Sequence, residues 1–124
     1  MHEIPRILVV DDRPEMAEMI ADDLSERGYD GVATTSGHEA VRMLQTERVD
    51  VLVTDVRMPE VDGMALLSLS LQLDPSRPVI MMTAYGTLDT VLETTGRGAF
   101  HYLTKPFRLE SLVRVLEQAL GRRS

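Results

Sequence analysis

Val51 to Thr54 is an unbroken apolar and β-branched run that leads straight into Asp55. Pro59 and the pair Asp62-Gly63 follow within eight positions. A short apolar run closed by such breakers predicts a strand buried on both faces, as in a parallel sheet covered by helices. Asp55 then lies at the strand's carboxyl end, where open α/β sheets place their chemistry. Strand interiors disfavour Asp, so the position points to a function; capping the following turn is the alternative use.

The rest of the chain repeats this plan. Ile4 to Val10 reads as a first strand, interrupted at Pro5-Arg6 and ended by Asp11-Asp12. Pro14 suits the first turn of a helix, and Met16, Met19, Ile20 and Leu24 recur at helical spacing before Gly28 stops it. A short strand over Tyr29 to Thr34 precedes Ser36-Gly37-His38-Glu39, a capping-box pattern that opens a helix with Ala40, Val41, Met43 and Leu44 inward. Val49 to Thr54 is the third strand, and Met64 to Leu73 the third helix, apolar around its girth. Val79 to Met82 forms a fourth strand ending at Thr83. Thr87 to Thr95 is a Thr-rich helix of low propensity, closed by Gly96. Ala99 to Leu103 is the fifth strand, ending in Thr104-Lys105-Pro106. Leu109, Leu112, Val113, Leu116 and Leu120 mark an amphipathic last helix. Five strands alternating with five helices predict an α/β domain over 1–124, core about 5–120, with a five-stranded parallel sheet covered on both faces; the expected doubly wound plan is flavodoxin-like, order 2-1-3-4-5.

Bulk properties narrow the function. The 124 residues suit one domain, and 44% hydrophobic with 27% charged residues is an ordinary globular composition. No run approaches the roughly 18 apolar residues of a membrane span, and the N-terminus has no apolar signal core. Absent cysteine excludes disulfide and thiol chemistry and fits a cytoplasmic location. Thirteen basic against twenty acidic residues give a net charge of -7, which argues against a direct grip on nucleic acid.

Four strands end in chemically capable groups: Asp11 and Asp12, Asp55, Thr83, and Lys105. In the expected order the first and third strands are neighbours, which gathers three carboxylates. Two like charges about 4 Å apart repel by roughly 4 kcal/mol at an effective dielectric near 20, so the cluster calls for a cation. Hard oxygen ligands with positions left for water suit Mg²⁺, with Mn²⁺ as a substitute. Taken alone, Asp11-Asp12 reads equally well as a solvated turn with Asp12 capping the first helix.

These motifs resemble the receiver domains of two-component response regulators. The resemblance spans Ile7 to about Leu120. It rests on Val9-Val10-Asp11-Asp12, on Asp55-Val56-Arg57-Met58-Pro59-Glu60-Val61-Asp62-Gly63, on Met81-Met82-Thr83-Ala84, and on Tyr102-Leu103-Thr104-Lys105-Pro106-Phe107. It implies that Asp55 is the phosphoacceptor, served by a histidine kinase or phosphotransfer protein. It implies that Asp12 ligates Mg²⁺ directly, Asp11 through water, and Arg57 through its backbone carbonyl. Thr83 and Lys105 are implied to bind phosphoryl oxygens, Tyr102 to be the aromatic switch, and Lys105-Pro106 to be cis. The fourth helix, fifth strand and fifth helix are implied to form the output face, toward an effector domain, a partner protein or a second copy in a homodimer.

Asp-Val-Arg-Met-Pro with Met82-Thr83-Ala84-Tyr85-Gly86 is most similar to receivers of NtrC-type σ54-dependent activators, which implies transcription regulation. Arg57 and Tyr85 are expected to flank the phosphate and lengthen its lifetime. A haloacid-dehalogenase-like phosphatase is the enzymatic rival, but Arg57 stands where its second Asp belongs. A flavodoxin-like flavin binder needs a hydroxyl- and Gly-rich first loop, whereas Asp11-Asp12-Arg13-Pro14 is acidic. A pseudo-receiver acting only in protein contacts is a third rival, opposed by the intact acid and lysine set. The chain is thus read as a regulatory domain, not an enzyme.

Overall fold

The computed structural model describes residues 4–84 and 88–123. Among these, β1 (Arg6–Val10), β2 (Asp30–Thr34), β3 (Val51–Asp55), β4 (Val79–Thr83) and β5 (His101–Thr104) pair in parallel in the order β2-β1-β3-β4-β5. The helices are α1 (Pro14–Glu26), α2 (Gly37–Thr46), α3 (Gly63–Leu73), α4 (Leu88–Gly96) and α5 (Leu109–Arg123).

The apolar runs are continuous because each central strand feeds two cores. Ile7 and Val9 of β1, Val51 and Val53 of β3, and Ile80 and Met82 of β4 point to one face. There they pack with Ile20, Ala21 and Leu24 of α1 and Leu112, Val115 and Leu116 of α5. The residues between them, Leu8, Val10, Leu52, Val79 and Met81, meet Ala40, Met43 and Leu44 of α2 and Leu66 and Leu67 of α3 on the other face. This is the period-2 alternation of a strand with both sides apolar. Register follows from it, because a one-residue slip would exchange the two sets.

Element ends shift from the sequence reading for identifiable reasons. β1 begins at Arg6, past Pro5, which has no N–H to donate; the Arg6 N–H is taken by the Asp50 carboxylate at 2.7 Å. Val49 is buried yet lies outside β3, because its carbonyl accepts from Arg77 Nε at 2.9 Å. Ala99 and Phe100 precede β5, although the Phe100 N–H donates to Val79 at 2.8 Å. The capping box at Ser36 is half formed. Ser36 Oγ accepts from the Glu39 N–H at 3.2 Å, but the Glu39 carboxylate pairs with Arg42 and the Ser36 N–H donates to Thr34 Oγ1. Met19 is 52% exposed on the outer side of α1 instead of being buried. The threonines of α4 are tolerated because Thr94 and Thr95 hydroxyls donate back to the Val91 carbonyl. The expected helix start at Thr87 lies outside the described residues.

The pair Asp62-Gly63 is more than a turn. Asp62 caps α3, its Oδ1 accepting from the Ala65 N–H at 3.0 Å. A Cβ on Gly63 would sit 1.9 Å from the Asp55 carbonyl oxygen, so only glycine lets α3 start against the end of β3. Gly63→Ala is therefore expected to cost about 3 kcal/mol, the upper end of overpacking penalties, read from urea unfolding. Gly121→Ala in α5, where a Cβ meets nothing within 4 Å, should instead be neutral or stabilise by up to about 1 kcal/mol. Equal effects of the two substitutions would refute the contact.

Candidate functional site

The strand register assembles the site. Val10 of β1 pairs with Thr54 of β3, so the next residues, Asp11 and Asp55, come out side by side at the carboxyl ends. Thr83 and Thr104 are aligned on β4 and β5, and the Lys105 N–H donates to the Thr83 carbonyl at 2.7 Å. The Lys105-Pro106 bond is cis. The Lys105 side chain reaches back across the strand ends to the acids.

Asp11 is fully buried. Its Oδ1 accepts from the Arg13 N–H at 2.9 Å and its Oδ2 from Lys105 Nζ at 2.5 Å. The same Nζ donates to Asp55 Oδ2 at 3.2 Å. The side chains of Lys105 and Asp55 are only 9% and 14% exposed, so the ammonium serves two shielded carboxylates. Asp12 is exposed, and carboxylate oxygens of Asp11, Asp12 and Asp55 lie within 4.8 Å of one another. Neither capping alternative survives. Arg13 is the N-cap of α1, with no side-chain cap, and α3 is capped by Asp62.

Three carboxylates at this spacing repel by about 3–4 kcal/mol per pair at an effective dielectric of about 20. One ammonium offsets part of that. Burial, foremost, with Asp11 and Asp12 adding to it, pushes the Asp55 pKa above the usual 3.8, while Lys105 opposes the rise. Three clustered hard oxygen donors with excess negative charge fit a divalent cation.

A cavity of about 360 Å³ opens over these groups, lined by Asp12, Arg13, Asp55, Arg57, Thr83, Ala84 and Lys105. Thr83 is buried at the end of β4. Arg57 is exposed at the rim. Tyr102 sits apart on β5, opposite Met81, packed against the α2–α3 core. Its hydroxyl is already buried and, among the described residues, has no hydrogen-bond partner. Tyr85 lies outside the described residues. Arg13 is a cavity residue that sequence reasoning passed over, since an Arg before a helix-opening Pro gives no chemical signal by itself.

A second cavity, of about 420 Å³, runs along α1 and the β5–α5 loop. Met16, Met19, Ile20, Pro106, Phe107 and Leu109 give it an apolar lining, and it shares Arg13, Ala84 and Lys105 with the acid cavity.

A doubly wound fold with an acidic strand-end site is the arrangement expected of a receiver domain. The chain belongs to the response regulator receiver domain family, which it matches over residues 7–117. It is 36% identical over 96% of its length to the transcriptional regulatory protein GlrR of Escherichia coli, covering 27% of that protein. It is 38% identical over 91% of its length to the DNA-binding transcriptional regulator NtrC of Klebsiella pneumoniae, covering 24% of it. The chain thus spans about a quarter of the curated relatives it matches. Among solved structures, a response regulator receiver domain protein from Clostridium thermocellum superposes with a TM-score of 0.91 at 30% identity, covering 97% of each chain. The NtrC-type likeness of the motifs is thereby shown.

Because the native pKa of Asp55 is raised, its charged form is disfavoured by folding. The penalty is complete above the raised value and fades as pH falls through it toward 3.8. With chelator present, Asp55→Asn is expected to be more stable than the parent at pH 7 by urea unfolding, with the advantage disappearing in acid. A variant less stable at neutral pH would contradict this sign.

Proposed function

We propose that the chain is a phosphoacceptor switch. Asp55 takes a phosphoryl group from the phosphohistidine of a histidine kinase or phosphotransfer protein. The face built by α4, β5 and α5 then changes to control an effector domain or partner, in transcription regulation. The observation that carries the reading is the meeting of Asp11, Asp12, Asp55 and Lys105 under one cavity in a chain of this family. An Asp55 Oδ attacks phosphorus, and the bond from phosphorus to the donor's imidazole nitrogen breaks. Such transfer spreads charge over the phosphoryl oxygens, so the protein contributes mainly position and electrostatics. Lys105 holds Asp55 in place and offers N–H donors to the incoming oxygens, and Thr83 lines the same space.

Asp11, Asp12, Asp55 and the Arg57 backbone carbonyl would hold Mg²⁺, or Mn²⁺ in its place. When bound, the ion would neutralise the phosphoryl charge. Movement of Thr83 would open space beside β4, and the unpartnered Tyr102 hydroxyl would find a new partner as the ring shifts. Arg57 at the rim is suited to hinder attacking water and lengthen the phosphorylated lifetime. The single receiver unit, over a core of about 5–120, works as a cytoplasmic regulatory domain and catalyses only its own phosphorylation and dephosphorylation. It makes no direct nucleic-acid or membrane contact. Leu92, 59% exposed on α4, suits a homodimer through the α4–β5–α5 face.

The apolar groove beside the acid cavity gives a phosphohistidine-bearing protein a seat next to Asp55. Two measurements test the reading. Acetyl phosphate with Mg²⁺ should label the parent to one phosphoryl group per chain and leave Asp55→Asn unlabelled; stoichiometric labelling of the variant would refute it. Met19→Asp should slow transfer from a phosphohistidine donor protein by about tenfold, the loss of one good apolar contact, while acetyl phosphate labelling stays within about twofold. An equal slowing of both donors would remove the groove from the account.

A further inference from the structure

Arg57 stands at a junction between two cavities. It lines the acid cavity together with Asp55 and Lys105. It also lines a separate cleft of about 180 Å³ between the start of α3 and α4, with Asp62, Met64, Thr90 and Glu93. Among the described residues its guanidinium has no hydrogen bond or ion pair, as holds also for Arg13, Arg97, Arg108 and Arg114, whereas Arg6, Arg27, Arg42, Arg48 and Arg77 are engaged. Glu93 across the cleft is likewise unpaired, while the Asp62 carboxylate is occupied in capping α3. Arg13, the other arginine of the acid cavity, borders the α1 groove and has no such neighbour on α4.

We infer that Arg57 is a bridging residue. Once Asp55 carries a phosphoryl group, the Arg57 guanidinium binds a phosphoryl oxygen with one edge and the Glu93 carboxylate with another, drawing α4 toward the β3–α3 loop. This rests on the phosphoacceptor reading and adds a route by which α4 senses the modification. A guanidinium presents five N–H donors in a planar fork, enough for two anions at once. With Asp55 unmodified, Lys105 engages Asp11 and Asp55, Asp12 remains on the acid side as an unengaged carboxylate, and Glu93 faces the cleft without an ion pair. A phosphoryl group places new acceptor oxygens and negative charge at the junction, where charge-assisted bonds are strongest. Linkage makes the effect reciprocal: if phosphorylation strengthens the pair, losing Glu93 must weaken the hold on the phosphoryl group by the same factor.

The test uses the full chain with BeF₃⁻ and Mg²⁺ as the phosphoryl mimic. Binding is read from the fluorine resonances of Asp55-bound BeF₃⁻, and α4 from amide hydrogen exchange over 88–96. Glu93→Gln is expected to weaken BeF₃⁻ binding about two- to fivefold, the range of an exposed ion pair, and to speed α4 exchange only in the bound state. Glu93→Asp should recover part of both. Arg57→Gln should act similarly, and the double variant should be no worse than Arg57→Gln alone. Parent-like affinity and α4 protection in Glu93→Gln, or additive losses in the double variant, would overturn the bridge. Absence of BeF₃⁻ binding to the parent itself would be a different result, removing the phosphoacceptor reading and the bridge with it.

Discussion

The structure depends on holding like charges together at the carboxyl ends of β1 and β3. Register leaves Asp11 and Asp55 no freedom to separate, since each follows an aligned pair of buried strand residues. Asp11 is wholly enclosed and the Asp55 side chain is 14% exposed, which reduces the solvation that would blunt their repulsion. Lys105 is the counterweight, reaching both from the far side of the sheet. It cannot balance three acids alone, and the raised pKa of Asp55 is the residue of that imbalance.

The opposite end of the sheet shows that the chain can settle charge when nothing else is required of it. There Arg6 donates to Asp30 at 3.0 Å and lies 3.5 Å from Glu47, while Asp50 accepts from the Arg6 N–H and pairs with Arg48. Each carboxylate has a cationic or N–H partner, and the network ties β1 to β2 and β3. Exposed pairs of this kind contribute only about 0.2–1 kcal/mol each, but they leave no unbalanced cluster. The contrast makes accidental crowding a poor explanation for the acid cluster, because the same three strands avoid it at their other ends.

Much of this was legible in the residues because the central strands are short apolar runs ended by polar residues. Asp55, Thr83 and Lys105 stand out in that way, and the alternation with helices points to a parallel sheet, whose order came from the flavodoxin-like plan. What stayed hidden depends on contacts remote in sequence. Arg77 sits between two prolines and reads as loop, yet it is buried, donating to the Val49 carbonyl and to Ser70 Oγ. Gly63 reads as half of a turn, while its reason is the Asp55 carbonyl beside it. Met19 has helical spacing suited to a core but faces a groove, because periodicity marks a stripe without saying how wide the covering is. The second half of the capping box lost to Arg42, a stronger charged partner for Glu39.

The same distinction bears on where a signal can travel. A switching element needs a second arrangement of comparable energy, with interactions the first one lacks. On the α1–α5 side buried apolar side chains form the layer, and Arg27 pairs with Glu110 at 3.1 Å. On the α4 side the described groups include a buried Tyr102 hydroxyl without a partner and the facing, unpaired Arg57 and Glu93. An unsatisfied buried hydroxyl costs about 1–3 kcal/mol, enough that a modest rearrangement giving it a partner would be favourable. Arg57 borders the acid cavity and Glu93 lies across the cleft on α4, the helix of lowest propensity, while Tyr102 lies apart on β5. On the proposed reading, a charge change at Asp55 would find an outlet through α4 and β5.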